Sequence, residues 1–530
     1  MQYVISYDVG TTGLKTCLFK IDRKVELIAG TYGSYHLYIL ENGGAEQDAG
    51  EWWQAMCNTT HELLAKTGVS PSDIGGISFC SQMQGLVLVD KDLHELRRPM
   101  SYMDQRAEDT MARNSGKGIK ISGLSIHKLL RSLIITTAAP TSVKDPIWKY
   151  TWVKENEPEL YKKIYKWLDV KEYLIMKATD ECVMTKDSAY STFLYDTRKG
   201  KYEWNKELCK IFGIDYNHLP KVIECSDVAG KLTKKAASEL GLFEGTPVFG
   251  GGGDATLIGI GAGCTKKGET HIYSGTSGWV STITDKQVVD IVSMIAAVVG
   301  AKEGIFNYFA EMETAGKCFE WVKEHLALDE IGIYLKKQDV TQGEEAISIS
   351  LYDYLSETIK KAPAGSNGII FTPWLHGNRC PFEDPDAAGM FFNIKIETGK
   401  TDMLRAVLEG ICYHLRWMLE CEEKKVKTSD TIRFVGGGAL SKVTCQMLAD
   451  ITGRKIETVE HTQDVGAIGA AMIAGIGMGI IPSLDEAGEY IKVSDTFIPN
   501  PENKAVYEKN YDVFKKLHKA NQKLFRELND

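Results

Sequence analysis

Residues Asp8–Lys15 read Asp-Val-Gly-Thr-Thr-Gly-Leu-Lys, a set of residue types that can bind phosphate and a metal ion. The two glycines permit a tight turn, whose amides and threonine hydroxyls could hold phosphate oxygens. Asp8 would stand at a strand end facing that pocket, where a carboxylate can hold Mg²⁺ directly or through water. Walker A loops and dinucleotide fingerprints lead into a helix, whereas a second strand is expected here. An ordinary hairpin with a solvated Asp8 is the alternative.

A second hairpin turn rich in glycine and hydroxyls follows in the other half of the chain, at Ser274–Gly278. Alone it predicts only a turn, but together the two loops predict a clamp for a triphosphate. Gly436–Ser441 lies between a predicted strand and a predicted helix, which suits a ribose or an α-phosphate at a helix N-terminus. The spacing of a dinucleotide fingerprint fails because position 441 is serine.

Asp254 follows four consecutive glycines, Gly250–Gly253, and is the candidate catalytic residue. Phosphoryl transfer to an alcohol needs a carboxylate that orients the hydroxyl and accepts its proton. Glycines let the backbone bend or approach a ligand closely, so a carboxylate placed here can serve that role. The alternative is that Asp254 only forms a turn.

Strand and helix patterns in the first half surround the first loop. Extended patterns predict strands at Tyr3–Val9, Leu14–Ile21, Val25–Tyr32, Ile74–Phe79 and Leu86–Val89. Apolar spacing predicts a helix from about Glu51 to Lys66, with Trp52, Met56, Leu63 and Leu64 on its inner face.

The second half opens with another strand–turn–strand, which suggests an internal duplication. Its predicted strands are His271–Tyr273, Trp279–Ile283 and Thr431–Val435, and its predicted helices are Asp402–Glu420, one capped by Ser441 that runs to Ile451, and a charged surface helix from Asn503. We place the domain boundary at the glycine run, which gives domains of residues 1–253 and 254–530.

The composition excludes several classes of function. With 530 residues the chain needs more than one core, and its net charge of −9 argues against nucleic-acid or anionic-lipid partners and for a small molecule. The N-terminus lacks the pattern of a signal peptide. The apolar stretches 288–301 and 465–481 are expected to lie in the hydrophobic core rather than to span a membrane. Twelve cysteines without a CxxC pair predict reduced thiols in the cytoplasm, without zinc.

These motifs, taken in order, resemble those of the FGGY carbohydrate kinases, and within that family the xylulose kinases. The resemblance runs from about Tyr3 to Gly475 and includes both hairpin loops and the glycine run before Asp254. It also includes the segments Glu46–Asp48, Trp52–Gln54, Ser81–Gly85, Asp104 with Arg106, Pro146–Val153 and Gly389–Glu409.

The resemblance implies an α/β fold of two duplicated ribonuclease-H-like, actin-like ATPase domains, with ATP and Mg²⁺ in the cleft between them. It makes Asp254 the proton acceptor and Asp8 the metal-side carboxylate. The implied nucleotide-binding residues are Thr11, Thr12, Lys15, Thr276, Gly316, Gly438 and Ala439, and the implied sugar-binding residues are Met83, Gln84, Asp104 and Asp254. The implied reaction converts D-xylulose to D-xylulose 5-phosphate, and a homodimer is left open.

The chain departs from the xylulose kinases mainly around the sugar. Gln84 stands where they carry histidine, and Ala255 where they carry asparagine or glutamine. Asn393 replaces a signature glycine, and residues 301–347 match poorly. The acceptor could therefore be another ketose or polyol, such as ribulose, erythritol or glycerol. Two other hypotheses are an actin- or chaperone-type nucleotide switch and a sugar sensor without catalysis.

Overall fold

The computed structural model describes residues 2–325 and 358–529, which contain two large mixed β-sheets. In the first sheet, β1–β3 form an antiparallel meander, and β4 pairs in parallel with β1. The strand order is β5-β6-β4-β1-β2-β3, with β7 also paired to β4. The strands are β1 (Gln2–Val9), β2 (Gly13–Ile21), β3 (Val25–Ser34), β4 (Ile74–Ser81), β5 (Val228–Lys231), β6 (Pro247–Phe249) and β7 (Gly252–Gly253).

The second sheet repeats this plan in the other half of the chain. Its order is β10-β11-β12-β9-β8-β13-β14-β15, with β8, β9 and β12 antiparallel and β13 parallel to β8. The repeated six-strand order confirms the duplicated α/β fold. The strands are β8 (Thr270–Ser274), β9 (Gly278–Thr284), β10 (Val289–Asp290), β11 (Ile295–Val299), β12 (Phe306–Met312), β13 (Thr431–Val435), β14 (Lys455–Val459) and β15 (Val493–Phe497).

Helices and short ribbons surround the two sheets. The helices are α1 (Ala49–Thr67), α2 (Glu108–Asn114), α3 (Ile126–Thr136), α4 (Pro146–Asn156), α5 (Pro158–Tyr161), α6 (Val170–Thr179), α7 (Lys186–Ser191), α8 (Lys206–Phe212), α9 (Lys234–Leu240), α10 (Asp254–Gly261), α11 (Gly316–His325), α12 (Lys400–Glu423), α13 (Lys442–Thr452), α14 (Val465–Gly477), α15 (Leu484–Ala487) and α16 (Lys504–Asn529). Two-stranded ribbons pair Leu37–Ile39 with Ala45–Gln47, Val87–Val89 with Lys166–Leu168, Lys120–Ile121 with Leu124–Ser125, Val183–Thr185 with Lys221–Ile223, Tyr195–Asp196 with Glu203–Trp204, and Ile370–Thr372 with Met390–Phe392.

Two helices, α10 and α14, cross at the centre of the molecule with their backbones in contact. A Cβ at Gly261 would lie 1.8 Å from the Val465 carbonyl oxygen, and one at Gly469 would lie 2.2 Å from the Leu257 carbonyl oxygen. Only glycine permits so close an approach. Helix α14 also packs on β1 and β4, so the stretch 465–481 is core, as predicted.

Most predicted elements agree with the structure to within a few residues. Helix α1 is capped by Asp48 and buries Trp52, Met56 and Leu63, while Leu64 is only partly buried. The surface helix predicted from Asn503 is α16, which exposes its charged face and buries Tyr507, Tyr511 and Phe514 along the other face.

The structure also bears on the cysteines and on the apolar stretches. All twelve cysteines are free thiols. Among the described residues, no helix is both long and apolar enough to cross a bilayer. Residues 301–347, which match the family pattern poorly, lie partly outside the described residues. The segment that contains the predicted sugar-binding residues Met83, Gln84 and Asp104 lies within them.

Candidate active site in the interdomain cleft

The first hairpin turn is a rigid loop at the end of β1. The Gly10 amide donates to the Gly13 carbonyl oxygen at 2.9 Å. The Tyr35 hydroxyl donates to that carbonyl at 3.0 Å, and the Gln47 amide nitrogen donates to the Thr11 carbonyl oxygen at 2.6 Å. These hydrogen bonds fix the carbonyl groups of Gly13 and Thr11. Thr11 and Thr12 remain at the exposed rim of the turn, where Thr11 contacts the Tyr102 hydroxyl at 3.3 Å.

Asp8 lies one residue before the end of β1, beside Cys80 of the parallel strand β4. Burial raises the pKa of this carboxyl, the Lys15 ammonium opposes the shift, and Asp464 adds to it. Helix α14 begins directly against the carboxylate, since a Cβ at Gly466 would lie 2.9 Å from Asp8 Oδ2. Asp8 is thus a half-buried acidic group at the junction of the two sheets.

Lys15 joins the two halves of the molecule through an ion pair. Its Nζ donates to Asp464 Oδ1 and to the Gln463 carbonyl oxygen, both at 3.0 Å. Asp464 precedes α14, so the strand after the first hairpin is linked to the C-terminal half. The ammonium group lies on the wall of the cleft and is partly exposed.

The second hairpin is joined to the start of α11. The Gly275 amide donates to the Ser277 carbonyl oxygen at 3.0 Å, which closes the turn. The Gly316 amide donates to the Gly275 carbonyl oxygen at 2.7 Å, and the Ala315 amide donates to the Thr276 carbonyl oxygen at 3.1 Å. Gly316 is therefore in direct contact with the loop, and the Thr276 side chain is exposed above it.

The glycine segment after β13 forms another side of the same hollow. Gly438 and Ala439 lie in a short 3-10 turn, Gly437–Leu440, and both are buried. Ser441 caps α13 as predicted, because its hydroxyl accepts from the Thr444 amide at 3.2 Å. The Gly436 amide donates to the Thr462 carbonyl oxygen at 2.9 Å, which fixes the segment beside β14.

These segments enclose a cavity of about 240 Å³. Of the predicted nucleotide-binding residues, Lys15, Thr276 and Gly316 line it directly. Gly438 and Ala439 come directly after two glycines of the lining, Gly436 and Gly437. Thr11 and Thr12 do not line the cavity and belong to the first hairpin. The lining consists of Lys15, Tyr273, Ser274, Gly275, Thr276, Gly316, Glu320, Gly436, Gly437 and Gln463.

Asp254 is the first residue of α10 and is half-buried. Its charge acts on Tyr273, which lines this cavity. Burial raises the pKa of Asp254 to about 7, opposed by the Ala255 amide, and the negative charges of Asp8, Glu311 and Asp187 add to the rise. Asp254 Oδ1 accepts from the Ala255 amide at 2.7 Å. A carboxyl with a pKa near neutrality is suited to take a proton from an alcohol.

A buried polar network, which no sequence motif indicates, holds the backbone in front of Asp254. Asp187 Oδ2 accepts from the Gly253 amide at 2.7 Å, and its Oδ1 accepts from the Thr185 hydroxyl at 2.5 Å. Lys171 Nζ donates to the same hydroxyl at 2.6 Å and is also paired with Glu172. Asp187 follows no recognisable motif, so only its burial and contacts reveal it.

Met83 and Gln84, which are predicted to bind the sugar, lie close to the backbone that precedes Asp254. Met83 packs against Gly253, where a Cβ would come within 2.1 Å of the Met83 sulfur. Gln84 has a φ of 65°, and its amide donates to Asp169 Oδ2 at 2.8 Å. Its carbonyl oxygen accepts from Lys149 Nζ, also at 2.8 Å. The backbone at Gln84 is thus fixed, and its side chain is half-buried.

Asp104 is enclosed in this structure. Its Oδ2 accepts from the Ala45 amide at 2.8 Å and from Arg106 Nη2 at 2.7 Å, and its side chain has no exposed area. Arg106 also pairs with Glu46 at 2.8 Å. The carboxylate joins the Ala45–Gln47 ribbon to the loop that carries Arg106. A sugar-binding role for Asp104 remains a prediction.

An ion pair between Arg379 and Glu311, which no sequence motif indicates, acts on Asp254 through the charge of Glu311. Arg379 Nη1 lies 2.8 Å from Glu311 Oε2, and Glu311 is one of the groups that raise the pKa of Asp254. Burial raises the pKa of Asp145 to about 7, and Arg379 partly offsets that rise. The pair therefore reaches Asp145 at the start of α4.

Comparison with known proteins identifies the family of this chain. The family model of the FGGY carbohydrate kinase N-terminal domain matches residues 3–261, and that of the C-terminal domain matches residues 271–478. A xylulose kinase of Bacillus subtilis is 31% identical over 98% of this chain and 97% of its own length. A gluconokinase of Bacillus licheniformis is 27% identical over 98% and 96%.

A solved structure gives the same result for the whole fold. The ligand-bound xylulose kinase from Lactobacillus acidophilus has a TM-score of 0.84 at 25% identity, and the match covers 100% of both chains. These relatives are sugar kinases rather than nucleotide switches. From its two matching domains and its cleft, the chain belongs to the FGGY family of carbohydrate kinases and is a sugar phosphotransferase.

Proposed function

We propose that this kinase transfers the γ-phosphate of ATP to a hydroxyl of a small ketose, converting D-xylulose to D-xylulose 5-phosphate. The observation that carries the proposal is the setting of Asp254, whose pKa is raised to about 7. The preceding residue, Gly253, packs against Met83, and the charge of Asp254 raises the pKa of Tyr273 in the lining of the hairpin cavity. A proton acceptor at this position would stand between a site for a triphosphate and a site for an alcohol.

The two hairpins would hold the triphosphate from opposite sides. Thr11, Thr12 and Lys15 would contact it from the first half, and Thr276 from the second. Gly316, Gly438 and Ala439 would lie along the nucleoside. The cavity wall formed by the second hairpin, α11 and the glycine segment supports this division. Its exposed amides and hydroxyls suit phosphate oxygens.

The residues at the first hairpin fit Mg²⁺. Asp8 is a half-buried carboxylate whose pKa is raised by lost hydration, and a hard divalent cation that prefers oxygen ligands would hold it in its charged form. Asp8 would bind the ion directly or through water. When bound, the ion neutralises charge on the phosphate oxygens.

Asp254 would accept the proton of the attacking hydroxyl. The sugar oxygen forms a bond to the γ-phosphorus while the bond from that phosphorus to the bridging oxygen of ADP breaks. The hydroxyl proton passes to the Asp254 carboxylate and then to solvent. Asp187 positions the Asp254 carboxylate, because its Oδ2 accepts a hydrogen bond from the preceding Gly253 amide at 2.7 Å.

The charges around Asp254 favour an uncharged acceptor. Asp8, Glu311 and Asp187 all raise its pKa, and Arg379 is already ion-paired with Glu311 at 2.8 Å. An aldonate such as gluconate would bring a further carboxylate into this surrounding. A ketose or polyol carries no carboxylate. The charges around Asp254 therefore support a ketose over gluconate, the substrate in the name of the gluconokinase relatives.

Ala255 and Gln84 favour a second candidate, a kinase for another ketose or polyol such as ribulose, erythritol or glycerol. Ala255 offers no polar side-chain atom beside Asp254, and its carbonyl oxygen already accepts from Asn307 Nδ2 at 3.3 Å. One sugar hydroxyl would therefore lose the partner that xylulose kinases are expected to supply.

ADP release measured against a panel of acceptors tests the proposal. The panel contains D-xylulose, L-xylulose, D-ribulose, erythritol, glycerol and gluconate, with MgATP in every assay. We expect strong stimulation by D-xylulose and little by gluconate. If gluconate gives the highest kcat/KM, the proposed acceptor class is wrong, and if a polyol does, the second candidate replaces D-xylulose.

A further inference from the structure

Tyr273 occupies in the second half of the molecule the position that Asp8 occupies in the first. The two hairpin motifs read Asp8-Val-Gly-Thr-Thr-Gly and Tyr273-Ser-Gly-Thr-Ser-Gly. In each motif the first residue, Asp8 or Tyr273, stands two positions before the first glycine of the turn. Both residues lie one position before the end of the first strand of their sheet, on β1 and β8. The duplication therefore brings a phenol to the side of the cleft opposite the carboxylate.

The ring of Tyr273 is held rigidly, with its hydroxyl at the turn. It stacks on Trp279, with centroids 4.0 Å apart and an angle of 22° between the planes. A Cβ at Gly436 would lie 3.0 Å from the ring, and a Cβ at Gly275 would lie 2.2 Å from the hydroxyl oxygen. Glycines of two separate loops thus leave room for this one side chain.

Tyr273 also borders the cavity between the hairpins. Tyr273 lines the 240 Å³ cavity together with Lys15 and Thr276. Burial raises the pKa of its hydroxyl, and the charges of Asp8 and Asp254 add to the rise. It therefore stays protonated at neutral pH and can donate a hydrogen bond. Within the described part of the chain, no hydrogen bond of this hydroxyl group is present.

We propose that Tyr273 is a further catalytic residue, whose hydroxyl donates a hydrogen bond to an oxygen of the phosphoryl group during transfer. The proposal rests on the proposed function, because it needs a phosphoryl group between the two hairpins. In that transition state, charge spreads over three equatorial oxygens, and fixed donors stabilise it. A neutral donor adds to this without adding charge beside Asp8 and Asp254.

Tyr273→Phe tests the proposal, because it keeps the ring stacked on Trp279 and removes only the hydroxyl. We expect kcat with the best acceptor to fall by roughly 10²-fold, the scale of one lost transition-state donor. KM for ATP should change by less than about threefold, and Tm should stay unchanged. Tyr7→Phe is the matched control, since it removes a phenol that bonds to Thr60 on the opposite side of β1, and it should keep the wild-type kcat.

A binding measurement separates catalysis from packing. ADP with aluminium fluoride mimics the phosphoryl group in transfer. Tyr273→Phe should bind ADP alone as the wild type does, but bind ADP with aluminium fluoride and sugar roughly 10²-fold more weakly. If Tyr273→Phe reduces stability, 3,5-difluorotyrosine at the same position keeps both ring and hydroxyl, and its stronger donor should change kcat while Tm is unchanged.

The outcomes distinguish the two levels of the argument. A wild-type enzyme that is inactive on every acceptor overturns the proposed function. An active wild type with an equally active Tyr273→Phe variant and equal affinity for the aluminium fluoride complex overturns only the role of Tyr273. Loss of Tm and of ADP binding together would assign the residue to packing, and that too overturns the proposal.

Discussion

The two hairpins of this kinase have the same fold and opposite chemistry. Each connects the first two strands of a sheet with the same order, and each turn is closed by the amide of its first glycine. The first presents a carboxylate and an ammonium, Asp8 and Lys15, whereas the second presents a phenol and a threonine hydroxyl, Tyr273 and Thr276. The duplicated scaffold thus carries ionisable groups on the first hairpin and neutral groups on the second. We assign the metal to the first hairpin and the triphosphate to both. The charge of Asp254 interacts with Asp8 of the first hairpin and with Tyr273 of the second.

The largest expected effect comes from removing the group that both hairpins face. Asp254→Asn keeps the size of the side chain and removes the proton acceptor. We expect kcat to fall by roughly 10²–10⁴-fold, the scale of general acid–base catalysis, with ATP affinity nearly unchanged. Steady-state kinetics and calorimetric titration of ATP check this, with the exposed Asp22→Asn as the matched control. A variant that keeps more than about a third of the wild-type rate would remove Asp254 from the mechanism.

The second prediction contrasts the two hairpins directly. Asp8→Asn should raise the Mg²⁺ concentration for half-maximal activity by at least about tenfold, because a metal-side carboxylate is lost. Tyr273→Phe should leave that concentration unchanged even though kcat falls. Activity measured against Mg²⁺ at saturating ATP and sugar gives both values. An identical Mg²⁺ dependence in the two variants would contradict the division into a metal side and a neutral side.

The third prediction concerns the acceptor beside Asp254. Gln84→His with Ala255→Asn restores the polar groups that the xylulose kinases are expected to carry. Position 84 has a φ of 65°, which histidine tolerates better than most residues. We expect kcat/KM for D-xylulose, relative to the best other acceptor, to rise by roughly ten- to a hundredfold, the value of one recovered hydrogen bond.

Gln84→Met with Ala255→Val serves as the control for that pair, since it changes shape without adding a matching donor. It should not raise the preference for D-xylulose. If the polar pair also leaves the preference unchanged or lowers it, these two positions do not decide specificity.

The smallest expected effect is on stability. The pKa of Asp254 is raised from 3.8 to about 7, so the folded state holds its proton where the unfolded chain has lost it. Ionised Asp254 therefore costs stability, a cost that grows from about pH 4 to about pH 7 and is constant above. Asp254→Asn never ionises and should raise Tm by about one to a few degrees at pH 8, with a smaller gain at pH 5. Thermal unfolding at both pH values, with Asp22→Asn as the control, checks the sign.

Local patterns predicted most of the fold because they reflect local physics. The strands on either side of Gly10–Gly13 follow from the turn residues and the apolar alternation of a short segment. The helix that Ser441 caps follows in the same way from its capping residue and its periodicity. The surface helix predicted from Asn503 is present as α16, but which of its aromatic residues are covered depends on what folds against them. The crossing of α10 and α14 at two glycines is likewise a tertiary property.

The candidate site divides in the same way. Asp8, Asp254 and both hairpins are visible in the sequence because each lies in a compact motif. Asp187, Glu311 and Arg379 are not, since they reach Asp254 only through tertiary contacts from separate elements. Tyr273 was hidden for another reason. The two hairpin motifs already align it with Asp8, but its place in the cavity lining and the action of Asp8 and Asp254 on its pKa depend on the folded structure.

The fate of the γ-phosphate tests the central claim most directly. Wild-type enzyme with MgATP and saturating D-xylulose is followed by ³¹P nuclear magnetic resonance, with a parallel sample lacking sugar. The account predicts that ADP and a sugar phosphate form in equal amounts, that inorganic phosphate stays at the background level, and that the sample without sugar is almost inert. Inorganic phosphate released at the same rate with and without sugar would contradict transfer to a sugar hydroxyl and the role assigned to Asp254.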